Sequence, residues 1–197
     1  MSPAILKILT MKSLFLILAS VLSIIIGTGL LSGQQIQPVP TRNGTVYYED
    51  VIASSGNISK QELFSKTKQW VASNYSSTLT YNPVQLEDAG NGIIIVNINL
   101  GKIQCTNCNY SYDNITCSLK LQFKDNKYKY TFSHFKAILN LTSGGTKYTT
   151  DSDFDDFFKK EKLYKGDLEI LTELDNKVRK VIDSLIQTLK EPVVENF

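Results

Sequence analysis

Cys105, Cys108 and Cys117 are the only cysteines of the chain, and all three lie in "IQCTNCNYSYDNITC", residues 103–117. His134 is the single histidine. A CxxC with a third cysteine behind it supports three chemistries: a zinc site, a dithiol redox centre, or a disulfide with one thiol left over. A zinc site takes four Cys or His ligands, and Cys105, Cys108, Cys117 and His134 are all that this chain offers. A redox CxxC ordinarily opens a helix, whose N-terminus lowers the thiol pKa. "CTNCNYSYDN" carries no helical pattern, so redox chemistry is the least favoured of the three.

The strand register decides between the other two. "ITCSLKLQFK" (115–124) and "KYKYTFSHF" (127–135) alternate apolar and polar residues, with Asp125-Asn126 as a two-residue hairpin turn between them. That turn sets Cys117 opposite His134. A preceding turn near Ser111 sets Cys105 opposite Cys117. Directly opposed side chains lie close enough for either a disulfide or a shared metal. An exported, oxidising environment favours the disulfide, and the expected pair is Cys105–Cys117, with Cys108 free beyond the strand end. Its loop of about a dozen residues would contribute on the order of 2–3 kcal/mol. The Cys105, Cys108, Cys117 and His134 metal set stands as the alternative.

Other candidate residues are weaker. In "DSDFDDFF" (151–158), Asp151, Asp153, Asp155 and Asp156 are of the type that ligates calcium. The loop lacks the glycine and terminal glutamate of an EF-hand, so it reads as a solvated acidic turn capping a short helix that buries Phe154, Phe157 and Phe158. No serine, aspartate or cysteine pattern frames His134 as part of a triad. "SGGT" (143–146) lacks the Lys-Ser/Thr of a phosphate loop. No catalytic residue, cofactor-binding residue or cofactor is assigned.

The elements that must position these residues follow an export signal. Lys7 and Lys12 introduce "SLFLILASVLSIIIGTGLLSGQQ", and no acidic residue precedes Glu49. A basic start, an apolar run and small residues before Gln34 form a signal peptide over 1–33, cleaved near Gly33. Met11, followed by Lys12, is a more natural start than Met1. If residues 13–32 are retained instead, they are long enough to anchor the chain in a membrane. The chain without 1–33 balances 19 basic against 19 acidic residues, so it has no electrostatic footprint for nucleic acid. Six N-x-S/T sequons, at Asn43, Asn57, Asn74, Asn109, Asn114 and Asn140, follow from a composition rich in Asn, Ser and Thr.

Residues 34–45 read as a polar linker, 46–190 as one α+β domain, and 191–197 as a tail. "VYYEDVI" (46–52) is a strand. Ser59 and Glu62 form a capping box ahead of a helix whose Leu63, Phe64, Thr67, Trp70 and Val71 share one face. Strands are expected at 78–86, 93–100, 115–124 and from 127, with Gly101 interrupting the phase of the second. A polar excursion covers 141–163. A last helix carries the stripe Leu168, Leu171, Leu174, Val178, Val181, Ile182, Leu185 and Leu189. The expected architecture is a curved antiparallel sheet with two helices packed on its one apolar face.

"VYYEDVI", "SKQELFSKTKQWVASNY", the turn before "GIIIVN", and "LKLQFKDNKYKYTFS" together resemble domain of unknown function 4468, over about residues 46–137. The resemblance implies a TATA-binding-protein-like (TBP-like) fold and a secreted or envelope protein of Bacteroidetes. It implies no activity and no catalytic residues, and the fold name does not import DNA binding. The expected function is a non-enzymatic module in the periplasm or cell envelope that binds a protein, glycan or small ligand. Tyr47, Tyr48, Tyr128 and Tyr130 suit either a recognition surface or a core. The alternatives are an envelope hydrolase or metal enzyme built on the Cys/His cluster, and a membrane-anchored structural component.

Overall fold

Period-two alternation builds a long antiparallel sheet, and two amphipathic helices close its apolar face. The computed structural model describes residues 37–54, 56–75, 82–106 and 108–190. In chain order these form β1 (Thr41–Arg42), β2 (Thr45–Val46), β3 (Tyr48–Ala53), α1 (Lys60–Tyr75), β4 (Val84–Asp88) and β5 (Ile93–Gln104). There follow β6 (Tyr110–Lys124), β7 (Lys127–Ser143), β8 (Thr146–Asp153), a 3-10 segment (Phe154–Lys159) and α2 (Lys165–Lys190). The main sheet runs β3-β7-β6-β5-β4, with β8 also on β7. β7 divides one edge between two partners: β3 pairs along 127–132 and β8 along 136–143. This is the expected α+β architecture.

α1 starts where the sequence places it. The Glu62 N–H donates to Ser59 Oγ at 3.2 Å, satisfying one open donor of the first turn. The β6–β7 turn fixes the same helix from outside. Asp125 Oδ1 accepts the Lys60 N–H at 2.8 Å, and Asn126 Oδ1 accepts the Ile58 N–H at 2.9 Å. Leu63, Phe64, Thr67, Trp70 and Val71 are all buried, each large apolar side chain worth about 1.5–3 kcal/mol relative to exposure. The Trp70 indole N–H donates to Ser184 Oγ at 3.0 Å and ties α1 to α2. On α2, Leu171, Leu174, Val178, Ile182, Leu185 and Leu189 are buried, while Leu168 and Val181 are half-buried. Tyr48, Tyr128 and Tyr130 are core residues on the helix side of the sheet, so they offer no recognition surface. The Tyr48 hydroxyl donates to Asp175 on α2 at 3.0 Å.

The curvature has a location. The β5–β6 and β6–β7 registers shift near Gly101 and across Asp113–Ser118. Gly101, Asn114 and His134 stand at positive φ, +78°, +50° and +57°. Each marks a bulge, which adds a residue to one strand and bends it. Three bulges on adjacent strands form a bend line that divides the sheet. The proximal half (β3-β7-β6-β5-β4) lies on one side of it. The distal half is built from β8, the far end of β7, the near end of β6 and the far end of β5. The inward phase changes at the bend: Ile94, Val96, Ile98 and Leu100 give way to Ile103 on β5, and Tyr128, Tyr130 and Phe132 to Phe135 and Ala137 on β7.

Two segments carry more structure than their composition suggests. The expected linker includes buried Val39 and a β1–β2 hairpin turning at Asn43-Gly44. The expected polar excursion continues β7, forms β8 and ends in the 3-10 segment, which buries Phe154 and Phe157 and leaves Phe158 half-buried. Polar residues suit β8 because it is an exposed strand on the rim of the distal half. The signal segment 1–33, the tail 191–197 and part of the strand expected at 78–86 lie outside the described residues. No helix among the described residues is long and apolar enough to cross a membrane.

Candidate functional site

The three cysteines are arranged differently from the expected pairing. The disulfide joins Cys105 to Cys108, with Cα atoms 5.5 Å apart, inside the range a disulfide spans. Cys117 is the buried free thiol. The physical reason is register. The β5–β6 hairpin turns between Gln104 and Tyr110, earlier than Ser111, so Gln104 pairs with Ser111 and Cys117 with Ile98. Cys105 and Cys108 then flank the turn. Burial pushes the Cys117 thiol pKa well up, so it stays protonated and inert.

His134 leaves the cluster for a related reason. The Asp125-Asn126 turn holds the expected register from Lys124↔Lys127 to Ser118↔Ser133, but the next pair is Thr116↔Lys136. His134 is the bulged residue, exposed, with Nδ1 2.9 Å from Ser133 Oγ. Phe135 takes the inward position. Cys117 and His134 therefore lie on opposite faces of the sheet, and the alternative metal set Cys105, Cys108, Cys117 and His134 is not brought together among the described residues.

The acidic stretch is accounted for by capping. Asp153 accepts the Asp155 N–H at 2.9 Å at the start of the 3-10 segment, and Asp155 accepts the Val46 N–H at 2.8 Å. Lys159 pairs with Asp156 at 2.6 Å.

The disulfide hairpin docks on the first turn of α2. Gly166 sits beneath it; a Cβ there would lie 2.9 Å from the Tyr110 hydroxyl, 3.2 Å from Cys108 Sγ and 3.5 Å from Cys105 Sγ. Glu169 Oε1 accepts the Thr106 N–H at 2.6 Å, and its Oε2 lies 3.7 Å from Cys105 Sγ. Buried Asp167 accepts from Lys160 at 2.8 Å, from the Tyr164 N–H at 2.9 Å and from the Tyr110 hydroxyl at 3.5 Å. Burial, and then Asp167, raises the Tyr110 pKa, which keeps this hydroxyl a donor. A disulfide three residues apart in sequence closes a very short loop and contributes only about 2 kcal/mol by chain entropy.

The opposite, uncovered face of the distal half holds a cleft of about 580 Å³ that reaches the disulfide. Register sets Gln104, Ser111, Asn140 and Thr149 side by side across β5, β6, β7 and β8. Asn140 is held in place: it donates to Asp113 at 2.8 Å and accepts from the Thr149 hydroxyl at 3.0 Å. Gln104 and Ser111 have no side-chain hydrogen bond among the described residues, which leaves their donors and acceptors to the cleft. Lys102 is balanced by Asp113 at 3.4 Å. At the far end, Asn109 Nδ2 donates to the Thr142 carbonyl at 2.6 Å and closes the hairpin tips together. None of this polar row stood out in the sequence. Its only signal is outward parity on four strands, which becomes a row once the register is known.

Residues 47–137, which run from the start of β3 into β7 and include α1, β4, β5 and β6, match the model of a domain of unknown function (DUF4468) with TBP-like fold. A TBP-like protein from Parabacteroides distasonis superposes with a TM-score of 0.63 at 16% identity, covering 78% of this chain and 98% of that one. A DUF4468 family protein from Bacteroides ovatus gives a TM-score of 0.54 at 11% identity, covering 82% of this chain and 95% of that one. No curated protein matches the chain. At these identities the likeness is one of fold, and it covers more of this chain than the family match does. Residues 47–137, the disulfide-tipped hairpin included, thus resemble a DUF4468 domain with TBP-like fold, and β8 and α2 follow that match in the chain.

Proposed function

We propose that this chain is an exported, envelope-located binding module that takes a neutral glycan segment in the distal cleft. The observation that carries this reading is the row Gln104, Ser111, Asn140 and Thr149 lining an open cleft of about 580 Å³. Amides and hydroxyls each present both a donor and an acceptor, as do sugar hydroxyls. Lys102 and Asp113 neutralise each other, Lys147 adds one exposed positive charge to the lining, and the row itself is uncharged. Its volume falls in the ordinary range for ligand sites.

Export is supported by the basic and apolar start of the sequence, and the similar folds come from bacteria, where an exported chain lies in the envelope or beyond it. Cell fractionation tests it: the mature chain is expected in the envelope fraction without residues 1–33, and cytoplasmic recovery of the intact chain would contradict export.

Magnitudes set the assay. Four neutral hydrogen bonds at about 1 kcal/mol each correspond to a Kd near 1 mM for a single sugar unit. Multivalent display on a glycan array is therefore the appropriate first screen, followed by saturation-transfer NMR on the free oligosaccharide. Asn140→Ala is expected to weaken binding about tenfold, because it removes one cleft partner and loosens Thr149. Retention of full binding by this variant would place the ligand elsewhere.

A further inference from the structure

We propose that Cys105–Cys108 is a thiol–disulfide exchange centre, with Cys108 the sulfur that a dithiol substrate attacks, Cys105 the leaving sulfur and Glu169 its proton partner. The two sulfurs have unequal surroundings. Cys105 is 4% exposed, whereas Cys108 is only half-buried, and both line the wall of the open distal cleft. Cys108 is therefore the sulfur more open to an incoming thiolate. Behind the pair, Glu169 Oε2 lies 3.7 Å from Cys105 Sγ, and the Thr106 N–H fixes the carboxylate through its other oxygen at 2.6 Å.

The first turn of α2 stands against both sulfurs, since glycine at 166 leaves no side chain between them and the helix start. The positive end of a helix stabilises a thiolate beside it. The sequence pattern, which places no helix after the CxxC, hides this arrangement because the helix arrives from 60 residues further along the chain. The short loop also makes this disulfide a modest staple, so its position over a cleft and against a carboxylate is what calls for a role.

The chemistry balances with a dithiol as co-reactant. A substrate thiolate attacks Cys108 Sγ, a substrate–Cys108 bond forms, and the Cys105–Cys108 bond breaks with its electron pair passing to Cys105 Sγ. Cys105 takes up a proton beside Glu169. The substrate's second thiolate then attacks its own sulfur in the mixed disulfide and expels Cys108 as thiolate. The substrate leaves as a disulfide, oxidised by two electrons, and the chain holds a thiol at Cys105 and a thiolate at Cys108, which takes its proton from solvent. In the return direction a disulfide of a second molecule is attacked by Cys108, and Glu169 withdraws the Cys105 thiol proton as Cys105 resolves the adduct.

The test uses the full mature chain, native by circular dichroism, with two probes: dithiothreitol, and a synthetic peptide carrying a reduced Cys-x-x-Cys. Exchange is followed by alkylation and intact mass. We expect reduction of Cys105–Cys108 without unfolding by at least one probe, the peptide arm marking a polypeptide substrate and dithiothreitol alone a small dithiol. Glu169→Gln, which keeps an acceptor for Thr106, is expected to slow exchange roughly tenfold while the melting temperature stays unchanged. Cys105→Ser should trap a mixed disulfide through Cys108, and Cys108→Ser should trap none. Reduction that occurs only in denaturant, or an exchange rate unchanged by Glu169→Gln, would overturn the proposal even if a cysteine variant failed to fold.

Discussion

At the scale of single residues, Gly166 and Glu49 make opposite kinds of prediction. Alanine in place of a helical glycine ordinarily stabilises by up to about 1 kcal/mol. At Gly166 the added methyl meets the Tyr110 hydroxyl at 2.9 Å and Cys108 Sγ at 3.2 Å, so Gly166→Ala is expected to lose about 1–3 kcal/mol in urea unfolding. Tyr110→Phe in the same background should recover part of that loss by removing the closest atom. Glu49 accepts from Lys129, Tyr47 and Arg42, and these partners hold its pKa down at about 2. A lowered carboxylate pKa adds stability that is fully present above the unfolded value of about 4.5 and is lost as pH falls through 2. Glu49→Gln should therefore lower the melting temperature slightly at pH 7 and flatten its decline between about pH 4.5 and 2. The cluster is partly exposed, so the effect should stay below about 1 kcal/mol.

At the scale of elements, the β6–β7 turn is the joint on which α1 depends. Asn126 stands at φ +62° and accepts the Ile58 N–H. Asn126→Gly keeps the backbone and loses the acceptor, whereas Asn126→Ala loses both. The expected order of stability is wild type, then Gly, then Ala, with the alanine variant down by about 1–2 kcal/mol in chemical denaturation. Equal stability of the two variants would remove the backbone part of the argument. Elements of this kind were legible in the sequence because their causes are local: Ser59 and Glu62 cap α1, alternation marks β5 to β7, and a 3.6-residue stripe marks α2. The cysteine pairing was not legible, since it turns on where one Asn-rich hairpin reverses and on which residue of three strands bulges. Gly101 announced its bulge by breaking the phase. Asn114 and His134 did not, because each merely tolerates the left-handed region that its position requires.

At the scale of the whole molecule, the chain packs its helices on one face of the sheet, and among the described residues nothing packs on the distal half of the other. The bend line at Gly101, Asn114 and His134 turns the distal half of that free face into a cleft, and the disulfide hairpin, seated on Gly166 and Glu169 of α2, forms one wall. The fold was readable from residue order and composition. The cleft was not, because its residues come from four strands and meet only through register. The most direct measurement of the central claim is glycan-array binding of the mature wild-type chain beside Asn140→Ala. Binding to a subset of neutral oligosaccharides that falls about tenfold in the variant is the predicted result. Absence of binding to any neutral glycan, or binding indifferent to the substitution, would contradict it.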